Sequence, residues 1–213
     1  MASICLPKFV LPDGTFDHVK LHEIARTVTK NLNRIIDNNY YPVKEAEVSN
    51  MRHRPIGIGI QGLADCLIKM KVPFEDDRAE VINAEIFETI YHAAMTESVE
   101  LAKVEGHYAS FQGSPLSQGK FQFDLWGVKP QTDRYDWASL RREVMQHGAR
   151  NSLLVAPMPT ASTAQIMSNN ESFEPYTTNI YTRRVLSGEF ICVNPHLVED
   201  MIQLGLWNAQ TRN

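Results

Sequence analysis

The segment with the clearest chemical content is Ser152-Leu153-Leu154-Val155-Ala156-Pro157-Met158-Pro159-Thr160-Ala161-Ser162-Thr163-Ala164-Gln165-Ile166-Met167. An apolar run enters a rigid Pro-x-Pro turn, and three hydroxyls follow at the start of a predicted helix. The first turn of a helix has unpaired N–H groups and a partial positive charge, so it favours an anion. Thr160, Ser162 and Thr163 can add side-chain donors to that backbone cradle. The loop carries no lysine, so it is not the Gly-rich, Lys-bearing phosphate loop of nucleotide hydrolases. A plainer use is open to the same residues: Thr160 or Ser162 can simply cap the helix. Residue types alone leave both readings standing.

Other constellations carry less. Gly57-Ile58-Gly59-Ile60-Gln61-Gly62 satisfies G-x-G-x-x-G. A dinucleotide fingerprint needs a strand before its first glycine, and the preceding Ser49–Pro55 is polar. The glycines lie inside the apolar run, which predicts close packing instead. Arg52-His53-Arg54 and Tyr181-Thr182-Arg183-Arg184 are small basic clusters that can touch phosphate or form ion pairs. His18 and His22 are four apart on a predicted helix, without the glutamate of a His-Glu-x-x-His site. Glu171 and Glu174 flank Phe173 beyond the hydroxyl loop and either line its cleft or close a turn. The three cysteines, Cys5, Cys66 and Cys192, are far apart and form no C-x-x-C pair, which argues against a disulfide framework or structural zinc. No metal ligands and no catalytic residues are assigned.

The elements that must hold the loop alternate between helical and strand patterns, as in an α/β chain. Asp17 caps a helix whose apolar positions Leu21, Ile24, Ala25, Val28, Leu32, Ile35 and Ile36 recur at helical spacing to about Asp37. Arg54–Leu67 suits a buried strand. A long helix follows, with Ala79, Ile82, Ile86, Ile90, Ala93 and Ala94 on one face and Gly106 as its stop. Gly106–Tyr135 is expected to be a long ordered loop. Asp136 to His147 fits a helix, Ser152–Ala156 a buried strand, and Asn194-Pro195 opens a last helix that Gly205 closes.

Composition sets outer bounds. The 213 residues suffice for one domain with a real core, and 43% hydrophobic with 22% charged residues is ordinary for a globular protein. A net charge of −4 argues against a surface built for nucleic acid. No apolar run approaches the roughly 18–20 residues a bilayer span needs, and the N-terminus lacks a signal-peptide layout, so the expected compartment is cytoplasmic.

Several long segments together resemble the large subunit of eukaryotic-type ribonucleoside-diphosphate reductase. They are Asn31–Asp37 with Tyr40-Tyr41-Pro42, Arg52–Asp65, Arg150–Gln165 and Glu174–Phe190. The resemblance covers essentially the whole chain. It implies an incomplete part of a ten-stranded α/β barrel, one partial domain over residues 1–213, with Gly57–Gly62 as a barrel strand. It implies that Thr160, Ala161, Ser162 and Thr163 hold the diphosphate of a ribonucleoside diphosphate that the family reduces at the 2′ carbon by thiyl-radical chemistry. Partners implied are a small subunit whose metal generates the radical, a second large subunit or the remaining barrel, ATP and deoxynucleotide effectors, and a thiol reductant. None of these cofactors is expected to bind in this segment.

The family's radical cysteine, with its Asn and Glu neighbours, lies upstream of the segment matching Ala2-Ser3-Ile4, and a redox cysteine lies just before it. Cys5, Cys66 and Cys192 match neither, and the ATP domain, the specificity loops, the tyrosine pair and the thiol tail have no counterpart here. The expectation is a cut piece, inactive and poorly soluble alone because an open barrel leaves sheet edges unpaired. The alternative is a truncated paralogue that associates with the intact reductase.

Overall fold

In the computed structural model, which describes residues 1–212, β1 (Ala2–Cys5) and β2 (Ile58–Gln61) run parallel, pairing Ala2 with Ile58 and Cys5 with Gln61. The run 153–156 lies on the far side of β2. Ile58 N–H donates to Leu154 O at 2.9 Å, and Ala156 N–H returns to Ile58 O at 3.0 Å. Only Val155 makes a full bridge, to Ile58, so the expected strand at Ser152–Ala156 is a short ladder. Three parallel segments, helix-linked, fit a buried α/β sheet. Ile58 and Ile60 are fully buried.

The helices follow from capping and periodicity. α1 (His18–Asn38) starts where the Asp17 carboxylate accepts from Lys20 N–H, and it buries Leu21, Ala25, Leu32 and Ile36 along one stripe. Pro42 restricts Tyr41 to extended backbone just beyond its end. α4 (Asp77–Glu105) is capped by Asp76 and ends at Gly106, whose φ of +82° suits glycine. It packs along α1 with Ile86, Ile90, Ala93 and Val99 inward. Each fully buried Leu or Ile contributes roughly 1.5–3 kcal/mol, so this face and the sheet form one core. α6 (Trp137–His147) has the expected cap, Asp136, accepting from Ser139 N–H at 2.8 Å.

Two expectations need correction, and two elements were not anticipated. The strand expected over Arg54–Leu67 is confined to β2, because Gly62 (φ +75°) turns the chain into α3 (Leu63–Lys69). The polar stretch before it is α2 (Lys44–His53), a surface helix with no buried residue, which apolar periodicity cannot reveal. The excursion 106–135 holds a 3-10 turn at Leu116–Gln118 and α5 (Gln122–Trp126). It is pinned to α4 by Glu88, which accepts from Thr132 N–H at 3.1 Å and, from the start of α6, from Trp137 Nε1–H at 3.1 Å. Finally, β3 (Ile180–Val185) and β4 (Gly188–Val193) form an antiparallel hairpin, separate from the first sheet. α7 (Ala161–Met167), α8 (Pro195–Gln203) and α9 (Ala209–Arg212) complete the order, α8 opening at Asn194-Pro195 as expected. The described residues form an α/β unit without a closed barrel. None of their helices is long and apolar enough to cross a membrane.

Candidate functional site

The hydroxyl loop leaves the sheet beside β2, and glycine makes that approach possible. A Cβ on Gly59 would sit 3.1 Å from Ala156 O and 3.4 Å from Met158 N. Of the three glycines of the G-x-G-x-x-G run, Gly59 thus serves backbone packing inside β2, while Gly57 precedes the strand and Gly62 turns the chain into α3.

Thr160 sits where a cap belongs, but it does not cap. Its backbone is left-handed (φ +57°), and no side chain satisfies the first turn of α7. The Thr160 hydroxyl instead accepts from Ser172 N–H at 2.8 Å, tying the loop to the segment that returns after α7. Thr160 O accepts from Ala164 N–H at 2.9 Å. Among the described residues, the N–H groups of Ala161, Ser162 and Thr163 donate to no side chain or loop carbonyl, and all three residues are exposed. The capping alternative is therefore not the one adopted. Beside the turn, Gln61 Nε2–H donates to Ser3 Oγ at 3.1 Å, and Ser3 Oγ lies 3.5 Å from Thr163 Oγ1. Three buried polar atoms around this loop lack a partner: Gln61 Oε1, Asn169 Oδ1 and Ser172 Oγ. The site therefore keeps unused hydrogen-bonding capacity.

Sequence reasoning missed the anchor behind the loop. Asp65, on α3, is 1% exposed. Its carboxylate accepts from Asn170 N–H, Tyr176 Oη–H and His196 Nε2–H, each at 2.7 Å. Burial pushes its pKa up, but these three donors together outweigh it and hold the carboxyl below its ordinary value. Burial and the Asp65 charge push the Tyr176 phenol up. One carboxylate thus gathers the post-loop segment and α8. The signal available in the sequence was an aspartate inside an otherwise apolar run, Leu63-Ala64-Asp65-Cys66-Leu67.

The remaining candidates have structural partners. Arg54 is buried and bound bidentately to Asp37 at 2.6 and 2.9 Å. His53 Nδ1 meets Ser110 Oγ at 2.6 Å, Arg184 pairs with Glu189, and Arg183 lies over the Tyr181 ring. Glu171 and Glu174 close a turn, Glu174 N–H donating to Glu171 O at 2.9 Å. Cys5, Cys66 and Cys192 are all free. Burial pushes the Cys66 thiol up to about 12, and raises Cys5 as well despite the Asn169 amide on its sulfur. His18 is held by Thr89 and Glu85, whereas His22 faces His92 across α1 and α4.

Comparison with known proteins agrees with this architecture. A family model described as "Ribonucleotide reductase, barrel domain" matches residues 1–213. The chain is 59% identical over its full length to the ribonucleoside-diphosphate reductase large subunit of Caenorhabditis elegans, covering 27% of that protein. It is 57% identical to the large chain of Schizosaccharomyces pombe and 58% identical to the large subunit of Danio rerio, again over 100% of this chain, and covers 26% and 27% of them. It spans about a quarter of the length of these relatives. Chain-long identity at this level, with the loop, its glycine bed and the sheet segments all inside the match, shows that the chain belongs to the ribonucleotide reductase barrel-domain family.

Proposed function

We propose that this chain is the substrate-phosphate portion of a ribonucleoside-diphosphate reductase large subunit. Thr160, Ala161, Ser162 and Thr163 receive the diphosphate of a ribonucleoside diphosphate whose 2′ carbon is reduced elsewhere in the barrel. The observation that carries this reading is the diverted Thr160 hydroxyl. By serving Ser172 N–H, it leaves the first-turn donors of α7 open toward solvent. Backbone N–H groups with the adjacent Ser162 hydroxyl suit phosphate oxygens without a lysine, and the Thr163 hydroxyl, which donates to Thr160 O at 3.3 Å, can turn to join them.

The thiol chemistry belongs to other parts of the enzyme. A thiyl-radical route needs a reactive cysteine and a dithiol reductant, and here Cys66 is buried, with its thiol held protonated. The radical comes from a small subunit and the electrons from an external thiol, so the isolated chain is inactive.

The test is reconstitution. The chain is mixed with a polypeptide carrying the remaining barrel and with the small subunit, and deoxynucleoside diphosphate formation is measured. Activity is expected only in the mixture, and Ser162→Asp, which sets a carboxylate against the phosphate, should abolish it while circular dichroism is unchanged. Activity that survives Ser162→Asp would overturn the loop assignment. Failure of every partner length would overturn the reading as a reductase part.

A further inference from the structure

The His22 and His92 rings meet at the α1–α4 contact, far from the hydroxyl loop in sequence and unused by the proposed chemistry. His22 Nε2 lies 3.0 Å from His92 Nδ1. Only one of these nitrogens can hold a proton in that bond, so a lone pair already points into the gap. His22 Nδ1 and His92 Nε2 have no protein partner among the described residues, so both rings can carry their proton on the outer nitrogen. In that tautomer two lone pairs face each other across 3.0 Å. Helix spacing alone would have suggested His18 with His22, but His18 is occupied: Nδ1 meets Thr89 Oγ1 at 2.9 Å and Nε2 meets Glu85 at 3.3 Å.

Aromatic neighbours pack against both rings. Tyr135 stacks on His92 at 4.4 Å and on His22 at 5.5 Å, and Trp137 meets His92 edge-on at 4.9 Å. The two helices are locked by the core on either side of the pair. Charged neighbours are mixed. Burial opposes positive charge on both rings most strongly, Arg26 (itself tied to Glu97 at 2.9 Å) opposes it at His22, and Glu23 and Asp136 favour it.

The geometry points to a two-histidine site for a divalent transition-metal ion, with His22 Nε2 and His92 Nδ1 as ligands. Two nitrogens bound to one tetrahedral ion at about 2.0–2.1 Å each stand roughly 3.4 Å apart. The present 3.0 Å therefore needs an opening of a few tenths of an ångström, with a tilt of the rings that aims both lone pairs at the ion. No group of three or more His, Cys, Asp or Glu is gathered among the described residues. The remaining coordination positions belong to water, and the site is open rather than a closed structural one. Imidazole ligation selects copper, nickel or zinc, with Cu2+ bound most tightly. Because the ligands come from two packed helices, binding also clamps α1 to α4.

The experiment adds Cu2+, and in parallel Zn2+, to the whole 213-residue chain. At saturating Cu2+ the melting temperature should rise by on the order of 5 °C. The Cu2+ electron paramagnetic resonance spectrum should show coupling to two imidazole nitrogens. His22→Phe and His92→Tyr should each remove the melting shift and leave at most one coupled nitrogen, whereas His18→Gln should retain both. A shift and spectrum unchanged by His22→Phe and His92→Tyr would place the metal on other surface histidines and overturn the proposal. If either variant fails to melt cooperatively, the wild-type spectrum decides, and fewer than two coupled nitrogens overturns it.

Discussion

Asp65 Oδ1 and His196 Nε2 lie 2.7 Å apart across 131 residues of sequence, joining α3 to the helix that follows the hairpin. The same carboxylate takes Tyr176 and the backbone of Asn170. It thereby closes the polypeptide around the hydroxyl loop: Asn170 and Ser172 sit on one returning segment, and Ser172 N–H is the donor that occupies Thr160. One buried charge thus ties both the return segment and α8 to α3, beside Gly62 N–H on Asn170 O at 3.0 Å and the Lys71–Asp200 ion pair at 2.7 Å.

Removing that charge should be costly. Asp65→Ala leaves the half-buried Tyr176 Oη–H and Asn170 N–H without their acceptor, and a fully buried orphan costs about 1–3 kcal/mol, a half-buried one less. The expected loss is on the order of 3 kcal/mol in equilibrium denaturation. Hydrogen exchange should show the change concentrated in residues 168–203, with α1 and α4 little affected. A uniform loss of protection over the whole chain would mean that Asp65 serves the core rather than the return segment.

The pH dependence has a definite sign. The Asp65 carboxyl lies below its ordinary value of 3.8 in the folded chain, since its three donors outweigh burial. Its contribution is fully present above that value and is lost as the pH falls through the folded one, because the unfolded chain takes up the proton first. Between roughly pH 5 and pH 2, the melting temperature of wild type should fall more steeply than that of Asp65→Asn. Parallel curves for the two proteins would remove Asp65 from the acid response.

At Gly62 both backbone and space demand glycine. Its φ is +75°, and a Cβ there would meet Pro7 Cδ at 2.8 Å and Asn169 Cβ at 3.1 Å. Left-handed backbone costs a side chain about 1–2 kcal/mol, and overpacking adds about 1–3 kcal/mol. Gly62→Ala should therefore destabilise by roughly 2–5 kcal/mol, as read from denaturant midpoints. Gly127→Ala, left-handed but with open space around it, should cost only the backbone part.

The legible parts of the sequence were those governed by local rules. Asp17, Asp136 and Asn194 were recognisable as caps because a short acceptor before an apolar repeat satisfies N–H groups within one turn. The hydroxyl loop was legible as a helix start, but its state was not. Whether Thr160 caps α7 depends on Ser172, and nothing local says that Ser172 returns to it. α2 escaped notice because a helix that buries nothing has no apolar stripe to display. Asp65 and His196, and His22 and His92, are pairs made by tertiary packing, so their spacing in sequence carries no signal.

Asn151 offers the last test, just before the run that delivers the loop. It is fully buried and exchanges two hydrogen bonds with Asn33: Asn33 Nδ2–H donates to its Oδ1 at 2.9 Å, and its own Nδ2–H donates to Asn33 Oδ1 at 3.0 Å. Ser98 Oγ–H adds a donor to the same oxygen at 2.9 Å, and the second amide hydrogen reaches Arg54 O at 2.8 Å. The side chain therefore stitches α1, α4 and the end of α2 to the sheet. Asn151→Leu has similar bulk and removes one partner each from the Asn33 amide nitrogen and oxygen, the Ser98 hydroxyl hydrogen and Arg54 O in a dry interior, where such losses are costly. Asn33 keeps Thr29 O, and Ser98 Oγ keeps the backbone N–H of residue 151. A loss of about 3–5 kcal/mol is expected. Asn33→Leu should be worth much less in the Asn151→Leu background than alone, since the shared bonds are already gone. Additive effects in that double-mutant cycle would show that the two amides act separately.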